Sequence, residues 1–181
     1  GASDINDVDR ALQTIKKYNK KIVLMQCNTN YTGKRENLNY INLNALDTFK
    51  KRYGNSIVLG LSDHTAGNLS VLGAVAKGAK VIEKHFTDNN NRQGPDHHFA
   101  MNPKSWKEMV KATRDLELML GDGIKKIEKN EINAKIVQQR SIRARFDIKK
   151  GQIIKKEDLI CLRPKSKSGI EPYEISKIIG K

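Results

Sequence analysis

The chain has only two cysteines, Cys27 and Cys161, far apart in sequence and with no CxxC pair around either. That leaves no thiolate metal motif, and a reducing cytoplasm is the expected compartment. No apolar run approaches the length needed to cross a bilayer, and no charged-then-apolar signal opens the chain, so no membrane partner is expected. No GxGxxG, GKS or GxSxG sequence occurs, which argues against dinucleotide binding, nucleotide hydrolysis and serine hydrolysis. Aromatics are sparse at 6%, and acidic residues number 20 against 34 Lys and Arg, giving a net charge of +14. The basic residues are scattered over most of the expected helices without interleaved aromatics, so nucleic acid is not the expected partner; an anionic substrate accounts for some of the charge equally well. What is present, 181 residues at 38% hydrophobic, suffices for one core plus a small appended module. The first residue is Gly1 rather than Met, which hints at a clipped or excised piece.

Two stretches organise the rest. GLSDHT at residues 60–65 and VIEKHFT at residues 81–87 are apolar runs that break into ligand-capable residues. Each reads as a buried strand whose end carries chemistry. Alternation puts Gly60, Ser62 and His64 on one face of the first, and Val81, Glu83 and His85 on one face of the second. Between them AGNLSVLGAVAKGA has the spacing and small residues of a helix packed on a sheet. Strand, helix, strand in this order gives parallel, usually neighbouring strands, which brings His64 and His85 to the carboxyl rim where α/β proteins keep their sites.

The remaining chain extends the alternation. A helix is predicted over residues 3–19 with Asp4 or Asn6 as cap, a strand from Ile22 carrying Thr29 and Tyr31 at its end, and a helix over residues 36–53 stopped by Gly54. After His85 comes a polar loop, DNNNRQGPDHHFAMNP, with Asp96, His97 and His98 in it, and then a helix capped by Asn102 and Pro103 whose buried stripe is Trp106, Met109 or Val110, Thr113, Leu116 and Leu120. The composition changes after Gly123. Domains are therefore expected at 1–123 (parallel α/β), 124–139 (a charged linker running into a short helix) and 140–181 (a small mixed or mainly β module).

Two neutral imidazoles at neighbouring strand ends can bind a divalent metal, with carboxylate or water oxygens completing the shell. Their separation, 85 − 64 = 21 residues, is one strand-helix-strand repeat. A lone histidine more often caps a helix or bonds a carbonyl; a pair at equivalent positions shifts the balance toward ligands. Glu83 reads as a partner orienting His85, as a group for a substrate hydroxyl, or as half of a buried ion pair with a lysine. Ser62 and Thr29 are hydroxyls suited to a phosphate or carboxylate, and the helix start near Gly67 and Asn68 offers free amides. Asp96 could exchange a proton, grip a hydroxyl or simply close a turn, and His97 and His98 read as extra ligands or as solvent-facing.

CxTxY at residues 27–31, GLSDHT, GAKVIEKHFT, GPDHHF, RSI at residues 140–142 and LRP with the following Gly169-Ile170 together resemble the sialic acid synthase family, which includes N-acetylneuraminate and legionaminate synthases. The resemblance runs over essentially the whole chain. It implies the C-terminal portion of a (β/α)8 barrel, here its last three strands, followed by a truncated antifreeze-like domain over 140–181. It also implies condensation of phosphoenolpyruvate with an N-acetylated amino sugar, N-acetylmannosamine or a diacetamido-dideoxy analogue, with release of phosphate. By the same resemblance His64 and His85 would hold a divalent metal, manganese foremost, with magnesium or cobalt as alternatives. Ser62 and Thr29 would hold phosphoenolpyruvate, Tyr31, Glu83 and Asp96 would contact the sugar, and Arg163 would reach across a domain-swapped homodimer to the N-acetyl group.

Three departures are visible. YTG stands at residues 31–33 where the family has YPT, Ala100 stands where a serine often follows GPDHxF, and the family barrel has four or five strands before the place where Gly1 falls. On that ground the chain alone is expected to be inactive. Two rivals remain at this point: another metal-dependent barrel enzyme such as an aldolase, and a noncatalytic module recognising a polyanionic glycan or nucleic acid.

Overall fold

A computed structural model describes residues 1–181, which divide into two units, Gly1–Gly123 and Ile124–Lys181. In the first, α1 (Ile5–Ile15) precedes β1 (Val23–Cys27), α2 (Ala45–Tyr53), β2 (Val58–Asp63), α3 (Leu69–Ala76), β3 (Val81–Lys84) and α4 (Pro103–Leu120). The strands form one parallel sheet in the order β1-β2-β3, with Met25 opposite Gly60, Cys27 opposite Ser62, Ser62 opposite Glu83 and Asp63 opposite Lys84.

Strand alternation sorts the residues into two faces. Leu24, Leu59, Leu61 and Ile82 point to the helices, where Leu46 and Phe49 of α2, Ala74 of α3 and Ala79 complete one core cluster. Val71 and Val75 of α3 join Met109 of α4 and Met101, just before that helix, in a second, with Ile82 and Trp106 against it. The opposite face carries Met25, Gly60, Ser62 and Glu83 and has no helix over it. A Cβ at Gly60 would come within 2.8 Å of the Val81 carbonyl and 2.9 Å of Met25, so only glycine fits this close approach of neighbouring strands.

Helix ends follow their caps. Asp4 accepts from the Asp7 amide and Asp7 answers with its own carboxylate, starting α1; Asn102 and Ser105 do the same for α4, with Pro103 in the first turn. The expected helix over 36–53 is two pieces, a 3-10 segment Arg35–Tyr40 and then α2, because Asn42 adopts φ 50° and breaks the run. The apolar pattern there is continuous, but backbone carbonyls of this stretch are taken by side-chain amides in and just after β1: Gln26 donates to the Ile41 carbonyl at 3.0 Å and Asn28 to the Tyr40 carbonyl at 3.1 Å. The stripe of α4 holds at Trp106, Met109, Thr113 and Leu116, whereas Val110 and Leu120 are exposed.

The second unit contains α5 (Ile132–Gln138) and an antiparallel pair, β4 (Ser141–Ala144) with β5 (Leu159–Leu162). Ser141, fully buried, accepts from the Ser166 amide, and Gly169 lies so close that a Cβ there would meet Ser141 at 2.6 Å. Ile142 and Leu159 are its buried apolar residues, and Ile142 donates its amide to the Ile170 carbonyl at 2.9 Å.

Candidate active site

The carboxyl ends of β1, β2 and β3 bring one set of side chains together. His64 follows β2 directly and His85 follows β3, and their ring centroids are 5.0 Å apart at 83°. Tyr31, from the segment after β1, lies 4.1 Å from His64 and 5.5 Å from His85, and Phe99 closes the other side of His85 at 5.2 Å. His64 is buried; His85 is partly open.

The protonation pattern of His64 follows from its partner. Its Nδ1 lies 2.7 Å from the Asn28 carbonyl, and a carbonyl can only accept, so Nδ1 carries the proton and Nε2 keeps its lone pair. The Cys27 thiol lies 3.9 Å from the same Nδ1. Nδ1 of His85 is 3.4 Å from a carboxylate oxygen of Asp96, which leaves Nε2 of that ring available as well. Orientation of an imidazole by a carbonyl or carboxylate behind it is the arrangement that metal-binding histidines use.

The donor set fits a divalent ion. With a metal-nitrogen bond of about 2.1 Å, two rings on one ion have centroids no more than about 6.6 Å apart, and the observed 5.0 Å is within that reach. No third histidine, cysteine or carboxylate completes a protein-only cage. The remaining positions of such an ion would fall to oxygen ligands of water or substrate, as an open catalytic site requires.

Loops hold these side chains in place. Asn37, buried, donates to the Asn30 carbonyl at 3.1 Å and to Thr32 Oγ1 at 2.9 Å, fixing the segment that carries Tyr31. Gly33 in YTG has φ 60°, and a Cβ there would sit 2.4 Å from Phe99, so the residue is glycine because the aromatic ring lies against it. The loop after β3 is tied back to its strand by Met101 N to the His85 carbonyl at 2.8 Å and Thr87 N to the Met101 carbonyl at 2.9 Å. Neither His97 nor His98 joins the cluster. Thr87 Oγ1 and His97 Nδ1 are 2.8 Å apart, and His98 Nε2 donates to the Thr32 carbonyl at 3.1 Å, pinning one loop to the other.

The other site residues divide as follows. Ser62 donates to Glu83 at 2.8 Å, and the two are register partners on the open face, so Glu83 is paired with a hydroxyl rather than a lysine. The buried ion pair lies one residue further on, between Lys84 and Asp63 on the helix face, where residue reasoning had not placed it. The signal was there: Lys84 and Asp63 alternate to the apolar face and carry the same spacing as the histidines. Thr29 is exposed, with its methyl toward Gly1, in the segment that follows the end of the strand at Cys27. Arg163 is exposed just after β5 in the second unit.

The fold and the sequence have known counterparts. A crystal structure of N-acetylneuraminic acid (sialic acid) synthetase from Leptospira borgpetersenii serovar Hardjo-bovis superposes with a TM-score of 0.65 at 30% identity, covering 74% of this chain and 45% of that one. The fold is thus an α/β portion of a (β/α)8 barrel joined to a small antifreeze-like domain. Residues 1–125 match the NeuB family and residues 139–181 the SAF domain, and the chain belongs to the NeuB family. N,N'-diacetyllegionaminic acid synthase of Legionella pneumophila is 41% identical over 185 residues, covering 99% of this chain, and the protein of the same name from Campylobacter jejuni is 35% identical over 184 residues, covering all of it. The chain spans about half the length of these relatives, 50% and 53%.

Proposed function

We propose that this polypeptide serves a cytoplasmic synthase that joins phosphoenolpyruvate to an N-acetylated amino sugar, giving a nonulosonic acid of the sialic acid type and phosphate. The observation that carries this reading is the convergence of His64, His85 and Tyr31 at one sheet rim in a chain of the NeuB family. His64 and His85 would hold manganese, or magnesium or cobalt in its place, through their Nε2 atoms. When bound, such an ion supplies a Lewis acid for the sugar's open-chain aldehyde oxygen.

The protein groups act around that centre. The enolpyruvate methylene carbon forms a bond to the aldehyde carbon, water adds at the carbon bearing phosphate, and the C–O bond to phosphate breaks to leave the keto acid. Asp96, set beside His85, is placed to hold a sugar hydroxyl or take its proton. Tyr31, edge-on to His64 and tilted to His85, is assigned to the sugar, as is Glu83, which already accepts one hydroxyl, that of Ser62, on the open face. Ser62 and Thr29 are assigned to phosphoenolpyruvate; since the Ser62 proton is engaged by Glu83, an anion at Ser62 takes that proton in exchange. Arg163 is assigned to the N-acetyl group from a second copy in a domain-swapped homodimer. A diacetamido-dideoxy sugar is the second reading, favoured by the two relatives named for diacetyllegionaminic acid.

The test is phosphate release by the full-length gene product, which should require phosphoenolpyruvate, a divalent cation and one of the two sugars, and should reveal which. Binding to polyanions that weakens steeply with salt and ignores chelators, without any turnover, would instead support a noncatalytic module.

A further inference from the structure

We propose that Lys84 and Asp63 form a positioning pair for the two histidines: a cross-strand lock on the helix side of the sheet that sets the spacing of His64 and His85 on its open side. The proposal rests on reading those imidazoles as a joint ligand pair. Three successive levels of β2 and β3 are involved. Ser62 and Glu83 bond on the open face, Asp63 and Lys84 pair on the helix face as the last residues in register, and the next residues are His64 and His85.

The grip of Lys84 explains why the lock acts on His64. Its ammonium donates to Asp63 Oδ2 at 2.5 Å and to the Thr65 carbonyl at 2.6 Å, so it holds the chain on both sides of His64 while standing one residue before His85. The carboxylate is saturated as well: Thr65 N donates to Oδ1 at 3.1 Å, and Thr65 Oγ1 and Ser70 Oγ to Oδ2 at 3.2 and 2.5 Å. Ser70 belongs to α3, so the lock also fixes the helix between the two strands to the turn that carries His64.

A purely structural account does not ask for charge here. The Asp63 and Lys84 side chains are 0% and 1% exposed, and burying an ion pair is often no more stable than an apolar pair of the same volume. What a saturated ionic network provides is a single geometry. Of all the ionisable side chains in the molecule only Asp63, His64 and Lys84 are buried, and they are consecutive or facing at this one place.

The experiment uses the full-length gene product and three variants: Asp63→Asn/Lys84→Met, which removes both charges; Lys84→Gln, which shortens the reach to Thr65; and Ser70→Ala, which removes one donor but leaves the grip. Three readouts are taken, namely the manganese dissociation constant, kcat against KM, and the nitrogen-15 imidazole spectrum of the metal-free protein. The two lock variants should weaken manganese binding and lower kcat by about 10- to 100-fold, the range for groups that orient metal ligands, with KM for phosphoenolpyruvate little changed. The single Nδ1-protonated form of His64 should give way to a mixture. Ser70→Ala, which leaves both Lys84 contacts in place, should lower the melting temperature and change metal affinity and the imidazole spectrum far less than the two lock variants. Should Lys84→Gln, which leaves the buried Asp63 carboxylate unpaired, fail to fold, the double variant carries the test alone. Wild-type metal affinity and imidazole signals in a folded lock variant, or equal losses in Ser70→Ala, would overturn the proposal. If wild type itself gives no turnover, the synthase reading fails separately and the imidazole spectrum still decides the lock.

Discussion

The two faces of the β2–β3 pair use the same register for opposite purposes. On the helix face, Asp63 and Lys84 are sealed from water and every polar atom is engaged by Thr65 or Ser70. On the open face one residue before and one after, Ser62, Glu83, His64 and His85 have few partners and retain unused lone pairs. The difference shows how an α/β rim divides its work: the covered face spends its polar groups on geometry, so that the uncovered face can leave its own free for a ligand.

The largest way to break this comparison is on the open face. Replacing His64 or His85 with Ala should reduce metal-dependent phosphate release by the full-length gene product to background while leaving the fold intact, since neither ring contributes to the apolar core clusters. Circular dichroism and a turnover assay on the same samples check both halves. On the covered face the order reverses. Lys84→Met strands the Asp63 carboxylate and should cost about 3–5 kcal/mol of stability, and adding Asp63→Asn should recover much of it; urea unfolding of the two variants reads the gap.

A smaller effect belongs to the loop that frames the site. Gly33→Thr, which restores the residue that the sialic acid synthases have there, forces a branched side chain into φ 60° and against Phe99. A loss of about 2 kcal/mol is expected, most of it from the left-handed backbone and the displaced ring, and calorimetry measures it.

The smallest effect lies far from either face and sharpens the contrast between exposed and buried ion pairs. Asp9 of α1 accepts from Arg52 Nε at 2.9 Å and from Tyr53 OH at 2.8 Å. The Arg52 guanidinium, and after it the Tyr53 hydroxyl, hold the Asp9 carboxyl below the usual carboxylate range. A lowered folded value means that the contribution is present above the unfolded carboxylate's titration and is lost as pH falls through the folded one. Denaturation midpoints of wild type and Asp9→Asn should therefore differ slightly at neutral pH and converge in acid.

Much of this was legible in the sequence, and the reasons differ by residue. The strands at GLSDHT and VIEKHFT could be read because alternation in a parallel sheet is a local pattern, and the meeting of His64 with His85 follows from one strand-helix-strand repeat. Tyr31 lies beyond the end of β1, and its place beside the imidazoles depends on the turn after Cys27, where Asn28 serves Tyr40 and His64; Thr29, in the same segment, is exposed beside Gly1. The buried pair was overlooked because Lys84 looks like surface charge until its face is assigned. The asparagine props at Asn28 and Asn37 act on partners that no periodicity marks. Cooperation of His97 with Thr87 and of His98 with Thr32 likewise depends on how the loop closes.

The most direct measurement is X-ray absorption at the metal edge of the manganese-loaded, full-length gene product. The spectrum should show two imidazoles on each bound ion with oxygen completing the shell, and His64→Ala should remove one of them. A wild-type spectrum with no imidazole scattering, or with an unchanged imidazole count in the His64→Ala and His85→Ala variants, would contradict the account.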